Sequence, residues 1–117
     1  SAGQKTSAVL SFLLSHGTEP LILDQPEDDL DNRLITDLIV SNLPKTKKNR
    51  QIIIVTHNPN IVVNGDSEFV IAVEDRGQIT VTASGGLQEK NVRQNVCHIM
   101  EGGETALMTR YKRMINI

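Results

Sequence analysis

Aromatic residues are scarce in this chain of 117 residues: they make up 3% of it, and tryptophan is absent. Hydrophobic residues still account for 38%, so the chain can bury a core, but the core must be built mainly of aliphatic side chains. The length is that of one ordinary domain. We therefore expect residues 1–117 to form a single domain.

Cysteine, long apolar runs and excess charge are lacking as well. A single cysteine excludes an internal disulfide framework and favours a reducing, cytoplasmic location. No window approaches 18 uninterrupted apolar residues, which argues against a membrane span. The formal net charge of −2 gives no electrostatic support for binding nucleic acid over the whole surface. The sequence also shows no nucleophilic triad and no Cys/His cluster with metal-ligand spacing.

The most informative stretch is an apolar run that leads into acidic residues. Residues 20–23 are apolar or proline, and Asp24 and Glu27 follow within four positions. We interpret residues 20–25 as a short buried strand that carries carboxylates at its C-terminal end, where open α/β sheets bind ligands. Such a strand end suits a magnesium ion and its bound water. An acidic surface turn after a core strand is the alternative.

Three further stretches lie in order around this strand. The chain opens with a small polar turn, and a helix is predicted over residues 4–15. A second helix is predicted over residues 32–43, and we expect Pro44 to end it. Residues 51–56 then form a continuous apolar run, typical of a parallel strand buried on both faces, which ends at His57.

Taken together, these stretches resemble the motifs of ABC-type ATPases. Ser1-Ala2-Gly3-Gln4 is similar to the signature motif without its preceding leucine, and residues 21–26 are similar to the Walker B strand. Leu30-Asp31 is similar to the D-loop, and His57 to the switch histidine. The resemblance covers roughly residues 1–75. It is closest to SMC-, RecF- and RecN-like heads and to AAA/ABC-like ATPases of anti-phage systems.

The resemblance implies ATP and Mg²⁺ as cofactors and assigns roles to individual residues. Asp24 would contact the magnesium ion, and His57 the γ-phosphate. Gln25 stands where many family members place a catalytic glutamate; its amide can orient a water but takes up no proton, so Glu27 could supply the missing carboxylate. Asp28 and Asp29 are the alternative sources and are otherwise solvated. The residues expected to contact nucleotide across an interface between two heads are Ser1, Ala2, Gly3, Gln4 and Asp31.

The fold implied by the resemblance is α/β, a mainly parallel sheet with flanking helices, as in the C-terminal lobe of a P-loop NTPase head. Residues 76–117 would hold a sheet-edge hairpin and C-terminal helices; the pattern predicts strands over residues 69–73 and 78–82 and helices over 90–101 and 103–115. No Gly-x-x-x-x-Gly-Lys-Ser/Thr phosphate loop occurs in the chain. We therefore expect it to need the N-terminal Walker A half of the head as a partner.

The function implied by the resemblance is ATP binding and hydrolysis by a dimer of heads, associated with DNA in repair, chromosome maintenance or phage defence. Two alternatives stay open. Gln25 would suit a nucleotide-gated dimerisation switch that hydrolyses little ATP, and a stand-alone interaction domain would use no nucleotide. The basic loop Lys45–Arg50 is either a solvated connection or a contact to DNA phosphates.

Overall fold

In a computed structural model of the chain, residues 2–28 and 32–115 are described, Ala2 and Asn32 by their backbone alone. The chain divides into two compact units, Ser1–Gly65 and Asp66–Ile117. In these described ranges, no helix has the length and apolar character needed to cross a membrane.

The first unit consists of helix α1 (Ala2–Ser15), strand β1 (Leu21–Asp24), helix α2 (Asn32–Thr46), strand β2 (Ile52–Val55) and a π-helical turn (Asn60–Asn64). β1 and β2 pair in parallel through the crossover helix α2, as the β-α-β order requires. Helix α1 begins two residues earlier than predicted and ends before Gly17, whose φ of 92° only glycine adopts without strain.

The core of the first unit lies on one face of the β1–β2 pair. Alternate strand residues point inward and pack against apolar side chains of α1 and α2, as the two-residue period of a strand requires. Ile35 and Ile39 of α2 are 1% and 0% exposed and form its centre. The other buried members of this cluster are Leu10, Leu14, Leu23, Leu43 and Ile61.

The other face of the same strand pair is exposed. Ile22, Ile53 and Val55 keep 67%, 46% and 50% of their surface accessible. The expectation that residues 51–56 are buried on both faces is therefore wrong for this unit, because its helices cover only one side of the sheet. An apolar face of this kind needs a partner if it is to be removed from water.

Helix α2 continues past Pro44, so the prediction that this proline ends the helix is also wrong. The main-chain N–H of Lys47 still donates to the Leu43 carbonyl at 3.0 Å. The hydroxyl of the buried Thr46 lies 2.9 Å from the Leu14 carbonyl and 3.0 Å from the Asn42 carbonyl, and it ties the end of α2 to the end of α1. These contacts hold the last turn in place although proline lacks an N–H.

The second unit consists of the hairpin strands β3 (Val70–Asp75) and β4 (Ile79–Gly85) followed by helices α3 (Lys90–Glu101) and α4 (Glu104–Ile115). The predicted hairpin and helix order is confirmed, and Gly77 has the positive φ (86°) expected of its turn. Helical spacing predicts that Val92, Val96, Ile99 and Met100 line α3; Val92 and Val96 are buried, whereas Ile99 is exposed. The same spacing predicts an apolar stripe on α4, but no residue of that helix is buried; its members are Leu107, Met108, Tyr111 and Ile115.

The predicted fold class is wrong as well. Instead of one mainly parallel sheet, the described residues form two separate sheets of two strands each, one parallel and one antiparallel. Each hairpin strand pairs with the other along one edge. Nothing further among the described strands extends the β1–β2 pair.

Arg50 joins the end of α1 to the start of β2. Its side chain is 8% exposed, and its guanidinium donates to the carbonyls of Leu13 (2.9 Å), His16 (2.6 Å) and Glu19 (2.6 Å). The residue thus satisfies carbonyl groups that the end of a helix leaves free. Hydrogen bonds from the backbone N–H groups of Glu19 and Thr18 lower the pKa of the exposed Glu19 carboxyl, and the charge of Arg50 lowers it further.

We predict that Arg50→Ala lowers the free energy of unfolding of the first unit by about 1–2 kcal/mol, because three charge-assisted hydrogen bonds to main-chain carbonyls are lost, although water can reach those carbonyls. Urea denaturation followed by circular dichroism measures this change. The matched control is Lys48→Ala, an exposed cation in the same loop, which should stay within about 0.5 kcal/mol of the parent. Equal effects of the two substitutions would contradict the capping role of Arg50.

Candidate functional site at the carboxyl ends of β1 and β2

The parallel pairing of β1 and β2 determines which residues meet beyond the strand ends. Asp24 pairs with Val55, and the N–H of Gln25 donates to the Val55 carbonyl at 2.7 Å. The segment that follows β1 therefore runs beside the segment that follows β2. Because both strands end at the same edge, polar residues separated by about thirty positions in sequence become neighbours.

Glu27 is the central residue of this edge. Its side chain is 1% exposed, although it carries a carboxylate. Oε1 accepts a hydrogen bond from the Thr56 hydroxyl and another from the His57 main-chain N–H at 3.1 Å. Among the described residues, Oε2 has no hydrogen-bond partner although it is buried. A buried carboxylate oxygen without a donor or cation is costly, which makes the surroundings of Glu27 a candidate functional site.

A chain of hydrogen bonds connects the carboxylate to helix α2. The Thr56 hydroxyl, which donates to Glu27, accepts from the main-chain N–H of Asn58 at 3.0 Å. The Asn58 amide in turn donates to the hydroxyl of buried Thr36 at 3.1 Å. This network orients Glu27 from two directions, and it holds the segment that follows β2 against α2.

The imidazole of His57 lies over the acidic turn. Nδ1 is 3.7 Å from Oε1 of Glu27, and Nε2 is 3.6 Å from Oδ1 of Asp28. The His57 and Asp28 side chains are 66% and 50% exposed, so this side of the site is open to solvent. One ligand atom from each of the three residues can be chosen so that all three lie within 4.8 Å of one another.

The structure brings together two of the predicted site residues and separates others from them. Glu27 and His57 lie side by side, and the group of described residues that could hold a metal ion consists of Glu27, Asp28 and His57 and does not include Asp24. Asp24 is exposed at the end of β1. Gln25 is also exposed, and its φ of 46° is in the left-handed region.

The predicted nucleotide contacts lie elsewhere in the first unit. Ala2, Gly3 and Gln4 form the first turn of α1, at the helix end whose dipole favours anions. The Gly3 carbonyl accepts from the Ser7 hydroxyl at 2.9 Å. Ser1 and Asp31 lie outside the described residues, so the structure does not bear on their roles.

Comparison with protein-family models, with curated proteins and with solved structures finds no match to this chain. The family resemblance therefore depends on the order of its motifs, and the geometry at the strand ends has to be judged as chemistry. A buried carboxylate beside an accessible imidazole can accept a proton from a bound water, and it can also bind a cation.

Sequence reasoning gave Thr56 and Asn58 no role and did not place Asp28 with His57. The sequence does show that Thr56 ends a predicted strand, next to His57, and that a hydroxyl there could donate to an acidic turn on the neighbouring strand. The sequence alone does not identify which carboxylate accepts this hydrogen bond, because the acceptor depends on the register between β1 and β2.

The backbone strain at Gln25 allows a test of its role. We predict that Gln25→Gly raises the free energy of unfolding by about 1 kcal/mol, because a left-handed conformation costs a residue with a Cβ about 1–2 kcal/mol. Part of that gain is offset by the greater freedom of glycine in the unfolded chain. Urea denaturation again provides the measurement.

The control for this substitution is Gln51→Gly, which changes another exposed glutamine of the same unit whose φ is not positive. It should destabilise the protein, since it adds unfolded-state freedom without relieving strain. A loss of stability in Gln25→Gly comparable to that of the control would show that Gln25 is not strained and that its side chain contributes to the fold.

Proposed function

We propose that this chain supplies the catalytic carboxylate and histidine of a composite ATPase site, whose phosphate-binding loop comes from another polypeptide segment. The observation that carries the proposal is the buried Glu27 carboxylate beside His57, at the edge shared by two parallel strands. Edges of this kind are where nucleotides bind in α/β proteins. The order of the sequence motifs supports the same reading.

Within this site, we assign to this chain the residues that transfer protons and stabilise charge. The substrate would be magnesium-bound ATP, and water would cleave the bond to its terminal phosphate. Glu27 would accept a proton from an attacking water, and a ring N–H of the exposed His57 is accessible to donate to a phosphate oxygen. Asp24, exposed at the end of β1, is available to hold the magnesium ion through water.

The exposed face of the β1–β2 pair supports the proposal that the missing half docks on this chain. Ile22, Ile53 and Val55 form an apolar surface at the strands that lead into the site. A half that carries the Walker A loop would remove these side chains from water and bring nucleotide to the same edge. The first turn of α1, residues 2–4, would face a nucleotide held by a second head.

The link to DNA has weaker support and belongs to the proposal through family resemblance alone. Arg50 of the basic loop donates to three carbonyls of its own unit and so is not available to DNA phosphates. With a net charge of −2, binding to DNA would have to use a local patch or another part of the assembly.

The alternative of a nucleotide-gated switch differs in one respect. If Glu27 serves only to hold the segment after β2 through Thr56 and His57, ATP could close the site without being hydrolysed. Gln25 then supplies no base either, since an amide takes up no proton near neutral pH. In a stand-alone interaction domain, ATP would neither close the site nor be hydrolysed.

The experiment measures phosphate release by the chain alone, by an N-terminal half with a Walker A loop alone, and by their mixture, each with ATP and Mg²⁺. We predict activity only in the mixture. Glu27→Gln should lower the turnover of the mixture by about 10²- to 10⁴-fold, as expected when a general base is lost. Gln25→Gly should leave most of the activity in place.

Glu104→Gln, an exposed glutamate of α4, is the matched control and should not change turnover. Association of the two halves is measured in parallel by sedimentation velocity. Associated halves that release no phosphate would contradict the hydrolytic proposal, and ATP-dependent association without turnover would favour the switch. Association and thermal stability that ignore ATP would favour the interaction domain.

A further inference from the structure

We propose that Glu27, Asp28 and His57 form a binding site for a divalent transition-metal ion, of which Zn²⁺ is the best representative. This site differs from the magnesium contact predicted at Asp24, and the inference does not require ATP or the proposed function. It concerns the first unit alone, because all three residues belong to it.

The geometry of the three side chains is close to that of a metal site. Zinc binds imidazole nitrogen and carboxylate oxygen at about 2.0–2.2 Å, so neighbouring ligand atoms in a tetrahedral site lie about 3.4 Å apart. One ligand atom from each of Glu27, Asp28 and His57 can be chosen so that all three lie within 4.8 Å of one another. The two shorter distances involve opposite ring nitrogens of His57, 3.7 Å from Nδ1 to Glu27 Oε1 and 3.6 Å from Nε2 to Asp28 Oδ1, so the ion would take one nitrogen and the side chains would have to close by about 1 Å. The exposed side chains of Asp28 and His57 are able to rotate until both face one ion.

A second, independent observation points to a cation. Glu27 is 1% exposed and its Oε2 has no hydrogen-bond partner among the described residues. Among the described residues no lysine or arginine pairs with Glu27; the basic group beside it is the His57 imidazole, 3.7 Å from Oε1, which carries a charge only when it is protonated. An ion bound to this carboxylate would supply a positive charge that the described residues do not provide.

The kind of ion follows from the donor atoms. Mg²⁺ and Ca²⁺ are bound almost entirely by oxygen, whereas imidazole selects zinc and other first-row transition metals. Two carboxylates and one imidazole leave one tetrahedral position for water, as in catalytic zinc sites. The site is also oriented before the ion arrives, because Thr56 donates a hydrogen bond to Glu27.

The test titrates the full chain with ZnCl₂ in an isothermal calorimeter, with MgCl₂ as the comparison ion. To remove competing ligands on α3, every protein carries Cys97→Ser and His98→Gln; Cys97 is half-buried, and His98 lies 3.6 Å from Glu74. We expect one Zn²⁺ per chain and no saturable Mg²⁺ binding over the same concentration range.

Three single substitutions then locate the ion. His57→Gln, Asp28→Asn and Glu27→Gln should each raise the dissociation constant at least about tenfold, since even residues that only support metal ligands cost 10- to 100-fold when they are lost. His16→Gln, an exposed histidine at the end of α1, is the matched control and should leave the affinity unchanged. Co²⁺ provides a second readout, because its visible absorption changes when an imidazole ligand is lost.

His57→Gln and Asp28→Asn alter exposed side chains, so the site can be tested even if Glu27→Gln fails to fold. Zinc binding that survives both substitutions, or that falls equally in His16→Gln, would overturn the inference. Equal affinity for Mg²⁺ and Zn²⁺ would overturn coordination by His57. None of these results depends on ATP turnover. A Zn²⁺ ion on Glu27 and His57 would occupy the groups that the ATPase proposal uses, so the two proposals are alternative uses of the same side chains and can fail separately.

Discussion

The site depends on one hydrogen bond, from the Thr56 hydroxyl to the Glu27 carboxylate. It connects the turn after β1 to the segment after β2, and the main-chain N–H of His57 strengthens the same connection at 3.1 Å. Without these donors, the carboxylate would be buried with neither of its oxygens paired. Burial of an ionised group under such conditions costs several kcal/mol, which would favour opening of the strand ends.

The second carboxylate oxygen of Glu27, Oε2, has no hydrogen-bond partner among the described residues, and this makes Glu27 a candidate to bind a ligand. A fold selected only for stability would pair this atom or replace the residue with an apolar one, because half-satisfied buried polar groups lower stability. Proteins often retain such destabilising polar groups where the group binds a ligand or takes part in a reaction. The open side of the site, formed by the exposed groups of Asp28 and His57, provides access for that ligand.

Much of the local structure could be predicted from the sequence, because hydrophobic periodicity and turn residues act over short distances. The β-α-β order, the hairpin around Gly77 and the two C-terminal helices follow from such patterns. The meeting of Glu27 with His57 also follows, once the two apolar runs are taken as neighbouring parallel strands. The burial of Glu27 does not, since it depends on the register of the pairing and on Thr56.

The errors share a physical origin. The outward positions Ile22, Ile53 and Val55 have the composition of strands covered on both faces, yet the described part of the unit covers one face. Helix α4 likewise has a helical apolar stripe but no buried residue. The apolar residues of a strand or helix show which of its faces can be buried. They do not show which other element, in this chain or in a partner, packs on that face.

The most direct test of this account is a double-mutant cycle between Thr56 and Glu27. The free energy of unfolding is measured by urea denaturation for the parent, Thr56→Val, Glu27→Leu and the double variant, because leucine removes the acceptor oxygens that glutamine would keep, and the cycle removes the separate effect of Thr56 on Asn58. The account predicts a coupling energy of about 1.5–3 kcal/mol, the range expected for a hydrogen bond to a charged group. Effects that add within about 0.5 kcal/mol would contradict it, because the two residues would then be energetically independent.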